Sequence, residues 1–104
     1  NEYLIRNENS TFIVKANSLS MLDVGIDIDD PLVVDRSLAA KSGDIVIALI
    51  DNDFTVKRLM IDHHFNPPKV WLKAENPDYQ NIYITEGQEL LIWGVVTYNL
   101  KPMR

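Results

Sequence analysis

The chain has 104 residues, no cysteine, 46% hydrophobic and 24% charged residues, and a net charge of −5. Disulfides, zinc–thiolate sites and cysteine catalysis are thereby excluded, and the acidic balance argues against a surface that grips a nucleic-acid backbone, which needs clustered Lys and Arg. A single domain over residues 1–104 is expected, with proteins as partners and no apolar run near the roughly 20 residues of a membrane span.

Asn1 to Arg6 shows neither an initiator Met nor a signal-peptide pattern, so the chain reads as a fragment or processed product. The lack of cysteine suits a reducing cytoplasm. Glu2–Asn9 is expected to be an arm or short turn. Phe12, Ile13 and Val14 then begin a strand that breaks into a polar turn at Asn17 and Ser18. Ser20 follows that turn directly, and Met21, Leu22 and Asp23 can open one helical turn. A hydroxyl thus stands where backbone N–H groups are unpaired, which is nucleophile geometry, although most serines at strand ends are caps or solvated turn residues.

Asp23–Asp30 is read as a solvated acidic turn with Gly25 free to take positive φ. Its three-aspartate spacing fails the calcium-loop pattern, since the Gly and the closing Glu are missing. Pro31–Asp35 is predicted to be a short strand. The continuous apolar run Asp44–Ile50, rich in β-branched residues, is predicted to be the central strand, buried on both faces. Asp51-Asn52-Asp53 is a hairpin turn, and Phe54–Ile61 returns antiparallel. The period of two puts Phe54, Val56, Arg58 and Met60 on one face and Thr55, Lys57, Leu59 and Ile61 on the other, one cation among apolar residues on each. A half-buried lysine usually snorkels, but a desolvated one has a lowered pKa and can act as a general base. Lys57 is the better candidate.

His63 and His64 are adjacent and are read as exposed loop residues. Asn66-Pro67-Pro68 is a turn, Lys69–Ala74 a strand, Glu75–Asp78 a turn and Asn81–Thr85 a short strand. Leu90–Leu100 is a long apolar strand with Gly94 as a bulge or close-approach point, and it is expected to present an exposed edge that pairs with a second copy. The domain is mainly β.

Two stretches carry a family resemblance: Val14-Lys15-Ala16-Asn17-Ser18-Leu19-Ser20-Met21, and Gly43-Asp44-Ile45-Val46-Ile47-Ala48 leading to Phe54-Thr55-Val56-Lys57-Arg58-Leu59. A Ser-Met pair after a strand, a Gly-Asp-hydrophobic strand and a Thr-Val-Lys-Arg-Leu strand resemble the self-cleaving Ser-Lys peptidases of the LexA, phage-repressor and UmuD family. Ile26–Asp35 and the ending Trp93–Val96 through Lys101–Arg104 resemble the UmuD branch most. The resemblance implies the LexA/UmuD peptidase fold, twisted antiparallel sheets with a short turn or helix carrying the nucleophile.

It further implies Ser20 as nucleophile, Lys57 as general base, the backbone N–H groups of Leu19 and Ser20 as oxyanion donors, and no metal or cofactor. The implied function is that of a UmuD-like protein of the DNA-damage (SOS) response. Such a protein cleaves itself on a RecA–DNA filament, and its trimmed form is a homodimeric accessory subunit of an error-prone translesion polymerase, a UmuC-like subunit being the partner. The rival reading is the dimerisation and self-cleavage domain of a LexA or phage-type repressor; a third is a β-domain in which Lys57 only snorkels. Three features depart from the family. Ser18-Leu19 stands where Gly-Asp or Gly-Met is common, no Ala-Gly or Cys-Gly cleavage dipeptide occurs, and no helix-turn-helix precedes the core.

Overall fold

A computed structural model describes residues 10–102; the arm expected over Glu2–Asn9 lies outside them. The described chain forms seven strands: β1 (Thr11–Lys15), β2 (Pro31–Asp35), β3 (Ile45–Ile50), β4 (Asp53–Asp62), β5 (Lys69–Lys73), β6 (Ile82–Tyr83) and β7 (Leu90–Asn99). They make one antiparallel sheet in the order β1-β2-β7-β3-β4-β5-β6. The expected mainly β, antiparallel fold is thus borne out, with all seven strands joined in one continuous sheet.

The apolar run predicted to be central is the middle strand of the seven. Its alternate residues feed two cores. Ile47 packs with Ala16, Met21, Ile26, Leu32 and Val34 on one side, while Val46, Ala48 and Ile50 pack with Leu59, Leu72 and Val95 on the other. A strand buried on both faces has no polar face to spare, which is why it reads as an unbroken hydrophobic segment. The two-residue turn into β4 is closed by Asp51 at φ 47° and Asn52 at φ 73°, the left-handed conformations that short acidic and amide side chains tolerate.

β7 corrects one expectation. It is not an edge strand but lies between β2 and β3. Its length arises because it serves two neighbours in turn: Leu90–Val95 pair with β3 and Val95–Asn99 with β2. Two register shifts mark it. Trp93 is the extra residue between Ile92 and Gly94 opposite β3, and Thr97 the extra residue between Val96 and Tyr98 opposite β2. Such bulges bend and twist a strand, letting one sheet wrap around cores on both of its faces. Gly94 is also a close-approach point, since a Cβ there would sit 2.5 Å from Cγ1 of Val34.

The segment between β1 and β2 packs across the sheet and holds a 3₁₀ turn at Leu22–Val24, one residue later than the helical turn the sequence suggests. Gly25 ends it at φ 87°. Asp30 corrects the solvated-turn reading: it is 7% exposed, accepts hydrogen bonds from Asp27 N–H at 2.7 Å and Asn99 Nδ2 at 3.0 Å, and pairs with Lys101 at 3.3 Å. The acidic loop is therefore tied to the end of β7.

Candidate active site

Ser20 lies in the turn after β1, beside buried Ala16 and Met21, and is itself 1% exposed. Lys57 lies in the middle of β4, opposite Val46 of β3, and is 6% exposed. Snorkelling is excluded for this lysine, whose ammonium end is enclosed with its stem. Its Nζ stands 2.9 Å from Ser20 Oγ, 2.6 Å from Thr55 Oγ1 and 3.3 Å from the Val56 carbonyl. Removal from water penalises the charged form, so the Lys57 pKa is lowered from that of an ordinary lysine.

Three oxygens surround the amine, enough for the three donors of an ammonium and able to serve the neutral form as well. A neutral lysine keeps two N–H donors and one lone pair, and Thr55 and Val56 supply two acceptors. The lone pair is then left for the Ser20 hydroxyl proton. In that protonation state the serine O–H donates to Nζ, which is the geometry a general base requires.

The turn that carries Ser20 is held from a distant part of the chain. Asn76 Nδ2 donates to the Leu19 carbonyl at 2.7 Å, Glu75 N–H to the Ser20 carbonyl at 2.8 Å, and Asp23 N–H to the Glu75 carbonyl at 2.8 Å. Glu75 is in turn held by Lys73 at 3.2 Å and Arg58 at 3.3 Å, which keep its carboxyl below the usual range, Lys73 contributing most. Arg58 also donates to the Gly43 carbonyl. Thus the second cation of β4 is a structural clamp, while the first faces the serine.

Ser18 completes the immediate surroundings. Its Oγ lies 3.0 Å from Ser20 Oγ and accepts a hydrogen bond from the Ser20 N–H at 3.3 Å. Leu19 is half-buried at the same corner. Beside the site opens an apolar groove of about 280 Å³, lined by Val14, Asn17, Ile47, Phe54, Val56 and Trp93. Both histidines lie away from it, in the exposed turn after β4, where His64 Nδ1 meets Asp62 at 2.8 Å.

Residues 1–97 match the Peptidase S24-like family model. The chain belongs to the S24 peptidase family. Among similar proteins, MucA of Salmonella typhimurium is 43% identical over 100 residues, covering 95% of this chain and 65% of MucA. ImpA of Escherichia coli is 38% identical over 104 residues, covering all of this chain and 68% of ImpA. The LexA repressor of Burkholderia mallei is 39% identical over 92 residues, covering 88% of this chain but 41% of the repressor. The chain thus spans just under two thirds of MucA's length. The expected LexA/UmuD resemblance is borne out, since MucA and ImpA are UmuD-like S24 proteins.

Sequence reasoning named Ser20 and Lys57 and missed Thr55, Glu75 and Asn76 as their neighbours. Thr55 was within reach, because residues two apart on a strand share a face. Nothing in the sequence signals that the turn at Glu75–Asn76 returns to Leu19.

Proposed function

We propose that this S24 chain is the catalytic and dimerisation core of a UmuD-like protein that cleaves itself through a Ser20–Lys57 dyad. The observation that carries the reading is the 2.9 Å contact between Ser20 Oγ and the buried, desolvated Nζ of Lys57. Lys57 takes the hydroxyl proton as Ser20 Oγ bonds to the scissile carbonyl carbon, and the carbonyl π pair becomes an oxyanion held by the N–H groups of Leu19 and Ser20. Collapse breaks the C–N bond, and Lys57 returns the proton to the leaving amine. Water then hydrolyses the acyl-enzyme with Lys57 again as base. The apolar groove beside the dyad receives the segment to be cut.

By the same resemblance the cleavage is stimulated by a RecA–DNA filament in the cytoplasm. The trimmed product acts as a homodimeric accessory subunit of an error-prone, UmuC-like translesion polymerase. The MucA and ImpA matches take in 95% and 100% of this chain against 88% for the LexA repressor, which supports this branch over a repressor fragment. Dimerisation falls to the C-terminal half of β7, whose register gives Tyr98 and Asn99 partners in β2 but none in β3, and where Tyr98 and Leu100 are exposed. The net charge of −5 suits protein partners over direct nucleic-acid contact.

The test is the rate of self-cleavage of the complete gene product from pH 7 to pH 10, beside Ser20→Ala and Lys57→Ala. A rate that rises with pH and is lost in both variants supports the dyad. Cleavage that persists in either variant removes it and leaves a binding module with the same fold.

A further inference from the structure

We propose that the Ser18 hydroxyl is a third oxyanion donor, a side-chain group in a hole otherwise built from backbone N–H groups. The inference rests on the Ser20–Lys57 reading and adds to it a residue whose hydroxyl the family's common glycine at this position does not supply.

The position of the oxygen is the first reason. Ser18 Oγ contacts both the nucleophilic oxygen of Ser20, at 3.0 Å, and the N–H of the same residue, at 3.3 Å. A carbonyl oxygen under attack by Ser20 Oγ must settle against that N–H, so the Ser18 hydroxyl stands beside the place the substrate oxygen will take. Its bond to the N–H is long for an N–H···O contact and is readily exchanged for one to a negative oxygen.

The direction of its proton is the second reason. When Lys57 is neutral, the Ser20 hydroxyl spends its proton on Nζ, so in the 3.0 Å contact Ser18 is the donor and Ser20 Oγ the acceptor. The Ser18 O–H thus already points at the nucleophilic oxygen, next to the place where the substrate's oxyanion forms. As the Oγ–C bond forms and the carbonyl pair moves onto oxygen, rotation about one hydroxyl bond carries that donor onto the new oxyanion. No backbone movement is needed.

The support beneath it is the third reason. Ser18 has no positive φ, so its backbone bears no left-handed strain that only glycine could relieve. It is half-buried, open to a substrate yet shielded. The next two residues are fixed through their carbonyls by Asn76 and Glu75. A donor held in this way is preorganised, and the loss of one such donor lowers acyl-transfer rates by about a hundredfold or more.

A fluorophosphonate probe tests this on the chain as it stands, independently of any cleavage site. Ser20 Oγ attacks phosphorus, the Oγ–P bond forms, fluoride leaves as P–F breaks, Lys57 takes the proton, and the phosphoryl oxygen enters the hole. Labelling rates are read by intact mass from pH 7 to pH 10. Ser18→Ala and Ser18→Gly are expected to label at least about tenfold more slowly than wild type at every pH, with the midpoint of the pH profile unmoved, while Ser18→Thr regains most of the rate. Equal thermal unfolding of these variants separates a lost donor from a lost fold. Labelling of Ser18→Ala and Ser18→Gly at the wild-type rate, with Ser20→Ala silent, overturns the Ser18 role and leaves the dyad standing. A moved midpoint also overturns it, because Ser18 would then act on proton transfer. No labelling of wild type at any pH overturns the dyad and this inference together.

Discussion

Lys57 and Ser20 are 37 residues apart in sequence, yet Nζ and Oγ meet at 2.9 Å in a site that leaves each of them almost no exposed surface. Burial of the lysine has a thermodynamic sign. The folded pKa is lowered by desolvation, so between that value and the ordinary lysine value the unfolded chain binds more protons than the folded one. Stability therefore rises with pH across that window, by up to about 1.4 kcal/mol per pH unit, and the burial of Lys57 destabilises the fold below it. Lys57→Met, which keeps the length and removes the charge, is expected to be more stable than wild type at pH 7 and to lack this rise. Urea unfolding at pH 7, 8, 9 and 10 checks it; parallel wild-type and variant curves would show that the ammonium is solvated.

Asn76 reaches across to the Leu19 carbonyl at 2.7 Å and so fixes the turn ahead of the nucleophile. Asn76→Ala removes one partly buried hydrogen bond, worth about 1 kcal/mol, and loosens the placement of the Leu19 and Ser20 N–H groups. The expected result is a small drop in stability with a larger drop in self-cleavage and in probe labelling, and no change in their pH midpoint, since Lys57 is untouched. A loss of rate no larger than the loss of stability implies would make Asn76 a purely structural residue.

How much of this was legible in the sequence depended on whether the determining contacts were local. β3 was readable because its hydrophobic run is unbroken, and the β3–β4 hairpin because Asp51 and Asn52 announce a left-handed turn. With Lys57 placed by the family resemblance, its fellow Thr55 needed only a period of two. The place of β7 was not readable: apolar length marks burial, and it takes the register to show that one strand serves β3 with its first half and β2 with its second. The same limit hid Asp30, whose partners Asn99 and Lys101 come from the far end of the chain.

That tie gives an acid-side prediction. The Asp30 carboxyl is held below its usual pKa, chiefly by the hydrogen bond from Asn99, then by the Asp27 N–H, with Lys101 adding to both. Its contribution to stability is present above the unfolded aspartate value and is lost as pH falls through the lower folded value. Asp30→Asn is expected to melt below wild type at pH 7, with the gap closing as pH is lowered toward 3. Thermal unfolding at stepped pH reads this difference; a gap that stays constant would mean that Asp30 acts by packing and not by charge.

Gly94 tests the wrapped sheet itself. A methyl group there would stand 2.5 Å from Cγ1 of Val34, a buried side chain of β2 that cannot swing into solvent, and 3.4 Å from Cγ of Arg36. Gly94→Ala should cost about 1–3 kcal/mol through overpacking at the point where β7 bends between its two neighbours. Val34→Ala alone should also destabilise, by leaving a cavity in the core shared with Met21 and Leu32. Combined, the two should recover part of the loss, because the new methyl occupies space the valine vacated. Thermal or urea unfolding of the four proteins makes a double-mutant cycle, and a coupling energy near zero would show that β2 and β7 do not approach as closely as the sheet requires.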